Sequence, residues 1–150
     1  MAASASEALG QQIVIENAGG AGGTIGVSRA ARMAPDGYNM VMGAVDTFAQ
    51  SQSLYARPNY NPLKDFTPIG LAVEQPLLLT VNKNLPVNDI KEFVAYVKSN
   101  YAKMQFGSAG IGAAPYLACF SLNTEIGAEV THVPYRGSAA ALADLMGRHP

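Results

Sequence analysis

Four short segments of small residues stand where an apolar run gives way to a helical pattern. They are residues 17–23, 43–47, 108–112 and 134–138. A helix that begins after such a turn offers unpaired backbone N–H groups and the positive end of its dipole. Glycine has no side chain, so a ligand can approach its backbone closely. These segments suit a small anion held by amides and hydroxyls, although Gly and Ser at such junctions also serve simply as turns and caps.

Two larger side chains in the last of these segments have more to offer a ligand. Arg136 is the one basic residue in the four segments. Its guanidinium can hold a carboxylate through two parallel hydrogen bonds, or it can remain solvated. Tyr135 can present its phenol to a ligand or pack beneath the loop. The sequence leaves both pairs of alternatives open.

Ser108 suggests a different chemistry, because its surroundings over residues 106–110 are similar to the G-x-S-x-G turn of serine hydrolases. A hydrolase needs a histidine to take the serine proton and an acid to orient that histidine. His132 and Asp144 are the candidates, and His149 lies beside the C-terminal end. Isolated histidines are more typical of structural or solvated positions. A small serine hydrolase is therefore an alternative to a binding protein.

Composition and motifs exclude several other kinds of site. The formal net charge of the 150 residues is -1, and Lys and Arg do not cluster, so nucleic acid and anionic lipid are not expected partners. Residues 21–26 depart from G-x-G-x-x-G at the first glycine, and no Gly-Lys-Ser or Gly-Lys-Thr occurs, so no nucleotide is expected. A single cysteine, Cys119, allows neither an internal disulfide nor a cysteine-based zinc site. The acidic residues are scattered, so we predict no metal and no cofactor.

The elements that position these turns alternate between strands and helices. Apolar runs predict strands at 11–15, 38–43, 66–73, 77–81, 103–107 and 130–133. Helical patterns follow at 24–33, from 46 toward 55, from 89 to about 101, at 113–124 and from 138. This alternation predicts an α/β fold with βαβ crossovers and a mostly parallel sheet. The carboxyl ends of parallel strands meet at one edge, so the four turns can line one or two crevices.

The helix that begins after Asp89 carries the clearest signals. Its apolar residues Ile90, Phe93, Val94 and Val97 recur at helical spacing and share one face. Asp89, followed three residues later by a glutamate, is typical of a capping box. The sequence therefore predicts the start of this helix at Asp89.

An ordered set of motifs resembles one protein family. In chain order the motifs are LGQQIVIEN at 9–17, GAGGTIG at 20–26, APDGY at 34–38, KDFTPI at 64–69, FGSAGIG at 106–112 and HVPYRG at 132–137. Their order and approximate spacing are similar to those of the substrate-binding proteins of tripartite tricarboxylate transporters, the Bug or TctC type. Each motif alone is weak, and the specificity lies in the ordered set, which runs from about Ser6 to Gly147.

The resemblance implies a periplasmic solute-binding protein of the type II, two-lobed Venus-flytrap class. Such a protein captures a small carboxylate, here a di- or tricarboxylate or an aromatic acid, and delivers it to a membrane permease without catalysis or a cofactor. The resemblance implies a partial first lobe over 1–78 and a partial second lobe over 79–150. The family's ligand loops map onto Gly22, Gly23, Thr24, Asp46, Thr47, Ser108, Gly110, Gly112, Ala113, Tyr135, Arg136, Gly137 and Ser138.

The chain departs from the family's second-lobe pattern S-x-G-x-G-[ST]-x-x-H at two positions. Ala113 replaces the hydroxyl residue, and Tyr116 replaces the histidine. A lost hydroxyl removes a hydrogen bond worth about 0.5–1.5 kcal/mol. The amides of Gly112 and Ala113 remain, so we expect anion binding with an altered ligand preference.

The extent of the match also sets an expectation. Family members open with a strand, a Pro-Gly-Gly ligand loop and a long helix before the point matched by Ser6, and they continue past Pro150. We therefore expect an internal fragment whose sheet has an unpaired apolar edge that invites self-association. A non-binding remnant that folds by oligomerising is a further alternative. The first residues lack the pattern of a secretory signal, so the periplasmic expectation rests on the resemblance.

Overall fold

The computed structural model describes residues 2–147, which form six helices and two strands. Helices α1 to α6 span Ala2–Leu9, Thr24–Ala30, Ser51–Leu54, Ile90–Asn100, Ala114–Ile126 and Ser138–Met146. Strands β1 and β2 span Gln105–Ser108 and Thr131–Pro134. Shorter helical turns lie at Ala21–Gly23, Asp46–Gln50 and Tyr101–Lys103. The sequence reading did not predict α1, and His149 lies outside the described residues.

The second half of the chain contains the parallel pair that the alternation predicts. β1 and β2 are parallel, and their register pairs Gln105 with Thr131 and Ser108 with Pro134. Helix α5 is the crossover between them, and α6 follows β2 directly. Both strands therefore end at the same edge, where residues 108–113 and 135–138 leave the sheet. The α/β class and the parallel strand direction are confirmed.

A small core joins α4 to the strands and α5. Its buried residues are Val97, Ile126 and Ala128. The partly buried side chains of Phe93, Val94, Met104, Leu122 and Val130 pack around them. The predicted helix start is correct, because the Asp89 carboxylate accepts a hydrogen bond of 2.8 Å from the amide of Glu92. The Glu92 carboxylate in turn accepts one of 2.7 Å from the amide of Asn88.

The first half of the chain differs from the sequence prediction. Residues 11–15, 38–43, 66–73 and 77–81 form no strand among residues 2–147. Their apolar side chains are largely exposed, as in Val14 (82%), Ile69 (86%) and Leu78 (81%). An apolar run becomes a strand only where a neighbouring backbone completes its hydrogen bonds, and within the described residues these four runs have no such neighbour. The four strand predictions are therefore wrong for this structure.

A cluster of aromatic and hydroxyl side chains orders residues 44–66 instead. The Tyr60 hydroxyl and the Ser51 hydroxyl lie 3.0 Å apart, and both contact the carbonyl of Thr47. Phe48 meets Phe66 edge to face, with 5.5 Å between ring centroids. These contacts hold the helical turn that begins at residue 46, and a Cβ atom placed on Gly23 of the glycine-rich loop would lie 2.9 Å from the methyl group of Thr47. None of the helices described here is long and apolar enough to cross a bilayer.

Candidate functional site

Three of the four predicted turn segments meet in space. A Cβ atom placed on Gly22 would lie 3.1 Å from the amide nitrogen of Ala113. One placed on Gly110 would lie 3.3 Å from the amide nitrogen of Gly22 and 3.6 Å from the carbonyl oxygen of Tyr135. One placed on Gly19 would lie 2.9 Å from the carbonyl oxygen of Arg136. The backbone of residues 19–24 therefore touches both loops that leave the parallel strands.

The fourth segment joins this meeting point through Asp46. One carboxylate oxygen of Asp46 accepts a hydrogen bond of 3.0 Å from the amide of Ala114, the first residue of α5. The other oxygen accepts one of 2.8 Å from the amide of Thr47. Ala113, which precedes α5, has no side chain that can cap the helix. A carboxylate from the first half thus caps a helix of the second half.

Tyr55 forms a second bridge between the halves that sequence reasoning missed. Its hydroxyl oxygen lies 3.0 Å from the carbonyl oxygen of Ala21 and 2.8 Å from that of Ile111. A phenol has one proton, so it donates to one of these carbonyls at a time. The contacts join residues 34 and 56 positions apart. No local motif signals contacts of that separation.

The side chains of Ser108 and His132 are hydrogen-bonded at the base of the loop 108–113. Their Oγ and Nε2 atoms lie 2.7 Å apart. The imidazole packs against the rings of both Phe106 and Tyr116, with centroid distances of 4.8 and 4.7 Å. Burial lowers the pKa of His132 below its ordinary value of 6.5. The imidazole is therefore uncharged at neutral pH.

This pairing meets one requirement of the serine hydrolase alternative and fails another. The acid assigned to orient the histidine, Asp144, accepts a hydrogen bond of 2.7 Å from the Tyr135 hydroxyl instead. That bond raises the pKa of Tyr135. Ser108 is only 2% exposed, so its hydroxyl does not face a substrate. The structure does not assemble the predicted triad.

The remaining predicted site residues have varied surroundings. The Thr24 hydroxyl donates to the carbonyl of Ala21 at 2.7 Å. The ring of Tyr135 packs against Gly107, which supports its packing role. Arg136 is exposed, Gly137 precedes α6, and Ser138 is the first residue of that helix. Gly23 contacts the methyl group of Thr47.

A cavity of about 540 Å³ opens beside this meeting point. Its wall includes Ala21, Thr24, Arg32 and Tyr55, all from the first half. Among residues 2–147 no three His, Cys, Asp or Glu side chains are grouped as metal ligands. The loops that meet here offer backbone amides, hydroxyl groups and the exposed guanidinium of Arg136, which are groups that bind small anions.

Known proteins share these sequence features. All 150 residues match the family model described as the tripartite tricarboxylate transporter family receptor. A protein of Agrobacterium vitis, described as the UPF0065 protein in the TAR-I ttuE-ttuC' intergenic region, is 40% identical over 149 residues. The match covers 98% of this chain and 42% of that protein.

Solved structures share the fold. The periplasmic binding protein BugD matches with a TM-score of 0.92 and 42% identity, over 96% of this chain and 48% of BugD. MatC from Rhodopseudomonas palustris, solved with bound malate, matches with a TM-score of 0.87 and 39% identity, over 96% of this chain and 49% of MatC. The chain spans about half the length of these relatives. The match to the family model covers every residue, and the chain belongs to the tripartite tricarboxylate transporter receptor family.

Proposed function

We propose that this chain carries the carboxylate-binding loops of a periplasmic receptor that delivers its solute to a membrane permease. The observation that supports this best is the contact between residues 19–24 and the loop 110–113, which brings amides from distant parts of the chain together. Residues 1–78 then belong to one lobe and residues 79–150 to the other. Because MatC is solved with malate, a small dicarboxylate is the ligand class we propose for this chain.

The proposed donors for the ligand lie at the end of β2. Arg136 is exposed and forms no ion pair within residues 2–147, where the single ion pair joins Arg29 to Glu16. The amides of Ser138 and the residues after it begin α6 without a side-chain cap. A carboxylate at this point gains the helix dipole and a charge-assisted hydrogen bond. Asp46 already holds the amide of Ala114, so the start of α6 has more free donors than the start of α5.

Calorimetric titration with malate tests the proposal, with dimethyl malate as the uncharged control. We expect saturable binding of malate and none of the diester. Arg136→Gln should weaken malate binding by about tenfold or more, the usual worth of a charge-assisted hydrogen bond. Lys91→Gln removes the same charge from the exposed surface of α4 and should leave the affinity unchanged. A folded protein without saturable malate binding contradicts the proposal, and equal affinities for both variants contradict the role of Arg136.

The exposed apolar runs in the first half favour a second candidate, a non-binding chain that self-associates. Val14, Ile69 and Leu78 are each more than four-fifths exposed. Exposed apolar segments with free backbone groups favour strand pairing with another chain. Sedimentation equilibrium decides this point, because a stable monomer contradicts self-association whatever the result with malate.

A further inference from the structure

Ser108 controls the shape of the loop that follows β1. Its hydroxyl oxygen accepts a hydrogen bond of 3.2 Å from the amide of Gly110. The hydroxyl proton then has two acceptors within reach, Nε2 of His132 at 2.7 Å and the carbonyl oxygen of Gly110 at 3.3 Å. A hydroxyl donates one proton only. The shorter contact directs the serine hydroxyl hydrogen toward Nε2 of the imidazole and leaves a serine lone pair directed at the amide of Gly110.

His132 is held where it can serve Ser108. It pairs with Phe106 in the register of the two parallel strands. From β1 the imidazole faces Phe106 and Ser108, and from α5 it faces Tyr116, the one titratable group in these contacts. Within the part of the chain that the structure describes, His132 forms no ion pair. The contacts with these two rings and with Ser108 restrict how the imidazole can turn.

Gly110 connects this pair to the other half of the chain. Its φ angle is +113°, a conformation that L side chains rarely adopt. At that angle its backbone lies against the amide of Gly22 and the carbonyl of Tyr135. Without the Ser108 contact, Gly110 would keep the hydrogen bond of 3.2 Å that its carbonyl accepts from the amide of Ala113, and the loop would be held less tightly.

We propose that His132 is a positioning residue for ligand binding: its Nε2 atom orients the hydroxyl of Ser108, which holds Gly110 and the loop 108–113 against Gly22. This inference rests on the proposed carboxylate function. A protonated imidazole donates to Ser108 rather than accepting from it. The serine hydroxyl hydrogen must then turn to the more distant carbonyl of Gly110, which changes how Ser108 holds the loop. Ligand affinity should therefore change when the imidazole becomes protonated.

The experiment combines amide hydrogen exchange of the ligand-free protein with malate titration, at about pH 4.5 and about pH 7.5, because burial lowers the pKa of His132 below its ordinary value. His132→Leu removes the contact, and His132→Gln keeps a hydrogen-bonding group that does not titrate. We expect His132→Leu to lower the protection factor of the Gly110 amide and the malate affinity by about tenfold each. His132→Gln should retain both values and lose the difference between the two pH conditions.

Ser108→Ala removes the hydroxyl that contacts both His132 and Gly110 and leaves the aromatic rings unchanged, so it serves if His132→Leu does not fold. It should reduce Gly110 protection to the level expected for His132→Leu. Wild-type protection of Gly110 in Ser108→Ala, or a pH effect in His132→Gln equal to that of the wild type, overturns the proposal. Exchange needs no ligand. If the wild type does not bind malate but Ser108→Ala still loses protection at Gly110, the proposed function is refuted and the positioning of the loop is supported.

Discussion

A methyl group added at Gly22 tests the contact between the two halves of the site. Gly22 is buried and has a φ angle of +62°. The new Cβ would lie 3.1 Å from the amide nitrogen of Ala113 and 3.3 Å from the carbonyl oxygen of Ile111. Both neighbours are backbone atoms, which cannot rotate away as a flexible side chain can. Gly22→Ala must therefore strain the left-handed backbone and also separate the loops.

Gly127→Ala separates these two costs. Gly127 ends α5 with a φ angle of +73°, and a Cβ there meets nothing within 4 Å. It carries only the left-handed penalty of about 1–2 kcal/mol. Gly22→Ala adds the cost of overpacking, about 1–3 kcal/mol. For a chain of this size we expect Gly127→Ala to lower Tm by about 4 °C and Gly22→Ala by about 10 °C.

The assay is thermal unfolding by circular dichroism, followed by malate titration at a temperature where both variants are folded. Gly127→Ala should bind malate as the wild type does, because it lies at the far end of α5 from the loops. Gly22→Ala should bind more weakly, because the loops are held apart. Equal losses of Tm in the two variants, or wild-type malate affinity in Gly22→Ala, would refute the reasoning.

Three further predictions follow from other contacts. Asp46→Ala should lower the free energy of unfolding in urea by about 1.5–3 kcal/mol, whereas Asp46→Asn, which keeps an acceptor for the Ala114 amide, should lose less; equal losses would contradict the capping role. Since the pKa of His132 is lower in the folded protein than in the unfolded chain, its contribution to stability is present above the ordinary value of 6.5 and is lost as pH falls through the folded pKa. Urea melts of the wild type in this acid range should therefore lose stability that His132→Gln keeps, and parallel curves would argue against it. The wild type should hydrolyse p-nitrophenyl acetate no faster than Ser108→Ala, and a clear excess would revive the hydrolase alternative.

The features that sequence reasoning predicted correctly are local. The capping box at Asp89 depends on a carboxylate and an amide three residues apart, so its geometry follows from the helix itself. The parallel direction of β1 and β2 follows from the helix between them. A crossover helix carries the chain from the end of β1 back to the edge where β1 begins, so β2 starts there and runs in the same direction. The same rule places residues 108–113 and 135–138 side by side.

Other features depended on contacts that no local pattern records. Apolar runs at 66–73 and 77–81 predicted strands, but a strand also needs a neighbouring backbone, which the described residues do not supply. The sequence assigned Asp144 to His132, whereas the turn of the chain after β2 brings it to Tyr135. The predicted and the observed partner of Asp144 differ because side-chain hydrogen bonds depend on orientation and not on spacing alone.

The sequence by itself determined the family, the α/β class and the glycine-rich loops, because motif order, periodicity and backbone freedom are written in residue types. Only the tertiary structure decided what those loops touch. Asp46 reaches the amide of Ala114 across 68 positions, and Tyr55 reaches Ile111 across 56. Such pairs form when two packed halves meet at one point, and their energies depend on distances that exist only after folding.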